Sequence, residues 1–271
     1  LIKSDALRRG GDMELTNPRT GIRMSYRIEG EGEGEKTIIF IHGWTGNYTR
    51  WSQTRELLSK NHRTVIYDLR GHGFSEKRAD MDFSFKTFVE DHIGMMEALN
   101  INSAILAGHS MGGMIAQHFA LAHPEMVEKL ILVGTAACPA PDAKEKRRLQ
   151  TAAWLFKHLF KFTLWVKDKN KRKQPDLYPD SINKAMQPSR EAASKSIISI
   201  LNMDLRNDLK NLNIPTLVVA SKADKTLAYP LSQDLAAHIQ GSRFETVTDS
   251  SHHIPIEKSE FLSKTIEDFI K

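Results

Sequence analysis

Ser103-Ala104-Ile105-Leu106-Ala107-Gly108-His109-Ser110-Met111-Gly112-Gly113 is the stretch whose reading decides the fold. An apolar run ends in a serine set between glycines, and a helical pattern follows. The spacing predicts a buried strand over Ser103–Gly108, a sharp turn at Ser110 and a helix over Met111–His123 that stops at Pro124. Such a turn strains the serine backbone and leaves no room for side chains on its flanks. It also pushes Oγ out at the carboxyl end of the strand. Ser110 is therefore a candidate nucleophile. With Gly and Ser each near 7% of average composition, G-x-S-x-G arises by accident in roughly one chain in ten of this length. A base and an acid, further along and in the right order, have to give the pentapeptide its meaning.

The composition is that of a globular enzyme: 271 residues, 40% hydrophobic, 26% charged, net charge +5. No stretch approaches the ~18 continuous apolar residues of a membrane span, so no stable membrane insertion is expected. Leu1–Gly10 has no apolar core of a signal peptide, and Met13 is a candidate natural start, with residues 1–12 an N-terminal extension. The single cysteine, Cys138, excludes an internal disulfide and fits a reducing, cytoplasmic setting.

Apolar β-branched runs alternate with helical patterns, which implies an α/β fold with a mostly parallel sheet covered on both faces. Ile22–Ile28 alternates apolar and polar residues, and the Gly/Glu-rich stretch Glu29–Lys36 reads as the turn of an opening hairpin into the strand Thr37–Ile41. Helix Trp51–Lys60, strand Arg63–Asp68 and helix Phe88–Leu99 lead to the serine turn. Strand Lys129–Gly134 follows it. After an interruption come strand Pro215–Ser221, helix Pro230–Ile239, strand Arg243–Thr248 and a last helix from about Glu257. The interruption has no strand pattern. Residues 139–210 carry 16 Lys/Arg against 8 Asp/Glu. We expect a core domain formed by residues 13–138 and 213–271, with residues 139–212 inserted as a helical cap.

Two late segments complete the chemistry. Strand Pro215–Ser221 runs into Lys222-Ala223-Asp224, and strand Arg243–Thr248 runs into Asp249-Ser250-Ser251-His252-His253-Ile254-Pro255-Ile256-Glu257. Serine, acid and base in that chain order, each after its own strand, suit this kind of nucleophile turn. Asp249 is too near the histidines to orient one from a separate loop, and Asp234 falls within a predicted helix.

With His42-Gly43, Asp68-Leu69-Arg70-Gly71-His72-Gly73-Phe74-Ser75, Gly108–Gly113 and the terminal histidine segment, the chain resembles the α/β-hydrolase superfamily. The likeness is to its small, capped, serine esterase-like hydrolases, and it extends from about Ile22 to Ile270 apart from the cap. The resemblance implies that the base precedes a Glu by five residues with a Pro between. His252 fits that spacing to Glu257, with Ser251 where a glycine is usual; His253 is the alternative base or a pocket residue. It also implies an oxyanion hole made by the backbone N–H groups of Met111 and Trp44. His42 is expected to hold its loop by a hydrogen bond.

The expected activity is hydrolysis of carboxylic esters of small to medium acyl chain through an acyl-enzyme, with the triad Ser110, His252 and Asp224. The alternatives are an enol-lactonase, C–C bond hydrolase, thioesterase or perhydrolase, or a slow-turnover ligand-binding relative. The substrate is then a small-molecule ester. No cofactor is expected. No nucleic-acid motif accompanies the basic charge, and the scattered histidines lack metal-ligand spacing. In the cap, Trp154, Leu155, Leu159, Phe162 and Val166 are candidates for a helix face that packs on the core or lines an acyl pocket. His109 and His253 are further pocket candidates. The basic run Lys167–Lys173 reads as a solvated face.

Overall fold

A computed structural model describes residues 12–30, 36–163 and 185–271 of the chain. Its centre is an eight-stranded sheet in the order β1-β2-β4-β3-β5-β6-β7-β8. The strands are β1 (Met13–Thr16), β2 (Arg23–Glu29), β3 (Thr37–Ile41), β4 (Arg63–Tyr67), β5 (Ala104–His109), β6 (Val127–Val133), β7 (Thr216–Ser221) and β8 (Arg243–Val247). From β4 to β8 all neighbours are parallel, whereas β1/β2 and β2/β4 are antiparallel. The α/β class with a mostly parallel sheet, expected from the sequence, is the observed one.

Burial explains why the central strands read as apolar runs. Side chains alternate between the two faces of a strand, and here both faces are covered. Ile39, Ile41 and Leu106 face one apolar layer with α2 (Phe85–Ala98), α3 (Met111–Ala122) and Leu235 of α6 (Tyr229–His238). Ile38, Phe40, Ile105 and Ala107 face the other, with Leu58 of α1 (Ser52–Leu58) and Leu262, Ile266 and Ile270 of α8 (Ser259–Ile270). A short helix α7 (Ile254–Glu257) precedes α8. Each such side chain withdrawn from water contributes about 1.5–3 kcal/mol.

The opening hairpin differs from its expected form. Strand β2 does not pair with β3; it lies between β1 and β4, with Tyr26 opposite both Met13 and Tyr67. The hairpin is β1/β2, turning through Asn17–Ile22, where Gly21 takes φ +69° and Asn17 Oδ1 accepts from Arg19 N and Thr20 N. Strand β3 is apolar on both faces and takes a central place between β4 and β5, so its pairing is non-local. Most of the expected Glu29–Lys36 turn lies outside the described residues. Asp12, assigned from sequence to the extension, accepts from Tyr48 Oη at 2.8 Å and pairs with Arg27.

Between β6 and β7 run α4 (Ala143–His158) and α5 (Arg190–Leu201), which pack on each other. Helix α5 is the inner one, with Ala192, Ala193, Ser196 and Ile197 buried, whereas only Phe156 of α4 is buried. Val166 and Lys167–Lys173 lie outside the described residues.

Candidate active site

The serine turn has the geometry its residue types demand. Ser110 adopts φ +56°, ψ −121°, a region that side chains disfavour. Its neighbours must be glycine. A Cβ on Gly108 would lie 2.4 Å from Gly112 O, and one on Gly112 only 2.2 Å from Ile41 O. The strand can therefore enter the helix at this depth only with both Cβ atoms absent. Helix α3 starts at Met111, so its first-turn N–H groups and their partial positive charge lie beside Ser110.

Asp224 follows β7 and His252 follows β8, and the parallel order of these strands brings both to the edge occupied by Ser110. Asp224 Oδ2 lies 2.7 Å from His252 Nδ1. Its other oxygen accepts from Thr226 N at 2.7 Å and Leu227 N at 3.0 Å, which fixes the carboxylate in its loop. A carboxylate only accepts, so Nδ1 carries the proton and Nε2 presents a lone pair. Both side chains are buried. Gly134, at φ +53°, packs beneath the pair: a Cβ there would touch Asp224 Oδ2 and His252 Nδ1, each at 3.7 Å.

The loop carrying His252 is held by Glu257. Its carboxylate accepts from Ser251 N at 2.6 Å, Ser251 Oγ at 2.6 Å and Ser250 Oγ at 2.9 Å. This gives a physical reason for the five-residue spacing, because the Glu staples the loop that aims the histidine. The carboxylates set aside in the sequence lie elsewhere. Asp249 is exposed and pairs with Lys258 at 2.6 Å, and Asp234 belongs to α6.

A cavity of about 210 Å³ is lined by Gly43, Trp44, Thr45, Gly46, Arg50, His109, Ser110, Thr226, His252 and His253. Of the sequence candidates, the structure thus brings Trp44, His109, His252 and His253 to one cavity with Ser110. His109 is buried, its Nε2 lies 2.7 Å from His252 O, and burial holds its pKa well below the usual histidine range. As a neutral ring it donates from Nε2 to that carbonyl and ties β5 to the His252 loop. His42 behaves as expected: Leu69 N donates to Nε2 at 3.0 Å, and Nδ1 donates to Gly43 O at 2.9 Å. Burial keeps this ring neutral too.

The pocket candidates in and after α4 need correction. Trp154, Leu159 and Phe162 are 56%, 42% and 57% exposed, and Leu155 is half-buried. None of them lines the cavity. Trp154 instead borders a second depression with Lys157, Arg190 and Ile198. The helix ends at His158, which breaks the spacing that joined Leu155, Leu159 and Phe162. The face turned inward carries Phe156, whose ring meets Trp44 edge-on at 4.8 Å. Trp44 Nε1 also donates to Ala193 O of α5 at 2.9 Å, so one residue joins the cavity loop to both inserted helices. Sequence reasoning also missed Arg50, Thr45, Gly46 and Thr226; only Arg50, the one cation of the loop after β3, carried a signal.

Among the described residues no group of three His, Cys, Asp or Glu side chains could hold a metal ion, and no helix is long and apolar enough to cross a membrane.

A family model described as the alpha/beta hydrolase fold matches residues 36–173. The AB hydrolase superfamily protein YisY of Bacillus subtilis is 30% identical over 263 residues, covering 93% of this chain and 97% of that protein. The 3-oxoadipate enol-lactonase 1 of Acinetobacter baylyi is 27% identical over 260 residues, covering 95% and 96%. The solved structure of an esterase from Exiguobacterium antarcticum superposes with a TM-score of 0.83 at 23% identity, over 95% of this chain and 98% of that one.

Proposed function

This chain belongs to the alpha/beta hydrolase fold family, and from that premise we propose that it is a serine hydrolase cleaving carboxylic esters of small to medium acyl chain. The observation that carries the reading is the 2.7 Å contact between His252 Nδ1 and Asp224 Oδ2, at a cavity lined also by the strained Ser110. A 2.7 Å contact to a buried carboxylate sets the histidine tautomer with its basic nitrogen available to the serine. The Acinetobacter relative is named an enol-lactonase, and a lactone is a cyclic ester. The cavity of about 210 Å³ suits a small acyl group.

In the proposed mechanism Ser110 Oγ adds to the ester carbonyl as its proton passes to His252 Nε2. Asp224 accepts from Nδ1–H throughout and stabilises the imidazolium. The oxyanion accepts from the backbone N–H groups of Met111 and Trp44. Loss of one such donor typically costs about 2.7–4 kcal/mol of transition-state stabilisation. Collapse breaks the C–O bond, and the alcohol leaves with the proton from His252. Water then gives a proton to the same nitrogen and adds to the acyl-enzyme, releasing the acid and restoring Ser110. In this reading residues 139–212 are a cap, and its described helices α4 and α5 meet the cavity loop at Trp44.

A p-nitrophenyl ester series from acetate to palmitate tests the assignment. Turnover of the short and medium esters by the wild type, and its loss in Ser110→Ala, is the expected result. Hydrolysis of no member of the series, or undiminished hydrolysis by Ser110→Ala, would overturn it.

A further inference from the structure

Arg27, Arg55 and Arg70 each carry a guanidinium into the interior, and each meets a carboxylate. Arg70 grips Asp91 with two hydrogen bonds, of 2.5 and 2.6 Å; Arg55 pairs with Glu29 and Arg27 with Asp12. This is what burial of a permanent charge demands, because an unpaired buried ion costs several kcal/mol.

Arg50 is different. It follows β3 in the 3₁₀ turn Tyr48–Trp51 and lines the same cavity as Ser110 and His252. Its stem runs along the Gly43–Gly46 loop, where a Cβ on Gly46 would lie 3.4 Å from Arg50 Cγ. Nη1 is sealed from solvent and has no hydrogen-bond partner, and no carboxylate of the described residues forms an ion pair with Arg50. Burial lowers its pKa to about 10, so it remains a cation at neutral pH. Its charge also disfavours protonation of His42 and His109, adding to the effect of burial on both rings. Among the described residues no Asp, Glu, Lys or other Arg lines the cavity.

We infer that Arg50 is the carboxylate-recognition residue of this cavity, and that its preferred substrates are esters bearing a free carboxylate on the acyl or the alcohol side. The planar fork of a guanidinium matches a carboxylate, and among the described residues Arg50 is the one fixed cation at the cavity, which suits a monoanion. A substrate acid would then complete, in trans, the ion pair that Arg27, Arg55 and Arg70 make within the chain. The inference deepens the ester-hydrolase reading and rests on it for the identity of the reacting group.

The test separates binding from turnover. On Ser110→Ala protein, calorimetric titration compares the monomethyl esters of succinate, glutarate and adipate with the corresponding dimethyl esters. At least one monoester is expected to bind about tenfold or more tightly than its diester, the scale of a charge-assisted hydrogen bond. Arg50→Gln in the same background should bring that ratio to about one, and Arg50→Lys should keep part of it. Equal binding of every monoester and its diester would overturn the inference, as would a preference that survives Arg50→Gln. If the wild type hydrolyses none of these esters while Ser110→Ala still prefers a monoester through Arg50, the ester-hydrolase reading fails and the carboxylate site stands.

Discussion

The sheet and the helices inserted after β6 are built on different terms. Every residue of β5 and β7 is buried, and the two apolar layers hold the strands from both faces. In α4, Phe156 alone among sixteen residues is buried, and it joins a satellite cluster with Ala193 rather than either main layer. Ser110, Asp224 and His252 all follow strands of the first region. Among the described residues the second reaches that site through Trp44 and through Arg148, which donates to Thr226 O at 2.9 Å. The proposed chemistry therefore sits on the region with the two large apolar layers, and the inserted helices touch the wall of the cavity.

The largest effect should come from Asp224, the acid proposed to orient His252. Asp224→Asn is expected to lower kcat by about 10⁴-fold while the melting temperature stays close to wild type, because the amide can favour the wrong histidine tautomer. Stopped-flow or steady-state ester kinetics beside calorimetry would check both parts. A loss below tenfold would show that the strand-end geometry does not set the chemistry.

Next comes the fit of the turn itself. Gly112→Ala places a methyl 2.2 Å from a backbone carbonyl of β3, which has no side-chain freedom with which to give way. A loss of more than about 4 kcal/mol, or no soluble protein, is expected. Urea unfolding of Gly241→Ala gives the contrast. Its φ of +72° carries strain, but nothing lies within 4 Å of the added Cβ, so that variant should fold.

Acid should act on the core through its buried histidines. Burial pushes His92 down to about 3 and His118 to about 4. The unfolded chain takes up protons below about pH 6.5 and the folded one does not, so their contribution is whole above that pH and is lost as pH falls toward 4 and 3. Asp68, raised by burial to about 6, acts with the opposite sign between about pH 4 and 6. Comparison with a variant isolates one group. His118→Leu should flatten the fall in unfolding free energy between pH 6.5 and 4 by up to about 3 kcal/mol. Urea midpoints at several pH values read the difference, and parallel curves for the two proteins would refute it.

The smallest effect on stability belongs to the inserted helices. Phe156→Ala is expected to cost about 1–2 kcal/mol, since it empties a satellite cluster and not a main layer. It should also lower kcat/KM for the esters, because it loosens Trp44, whose backbone N–H is the proposed oxyanion donor. A loss as large as that of Gly112→Ala would erase the distinction between the two regions.

The same difference governs what could be read from the chain. Strands buried on both faces announce themselves as apolar runs, so β3 to β7 emerge from the sequence within a residue or two at most ends, and the edge strand β8, only partly buried, emerges from its place after α6. The serine turn is equally readable, because steric demands leave glycine no substitute at positions 108 and 112. Strand partners were not readable: the alternation over Ile22–Ile28 identifies β2, but its place beside β4 depends on β3 needing two neighbours. In α4 the periodicity pointed to Leu155, Leu159 and Phe162, whereas the helix stops at His158 and turns Phe156 inward. A helix with one buried residue has too weak an apolar stripe to show its inner face. Arg50 was legible as a cation but not as an unpaired one, since partners are a property of the folded chain.

The central claim is that Ser110, activated by His252 and Asp224, is the nucleophile of the cavity. Its most direct test is intact-protein and peptide mass spectrometry after reaction with a fluorophosphonate, which loses fluoride as it bonds to an activated serine oxygen. The account predicts one adduct per chain, on Ser110, absent from Ser110→Ala and greatly slowed in His252→Ala but not in His253→Ala. An adduct on another residue, or labelling at the wild-type rate in His252→Ala, would contradict it.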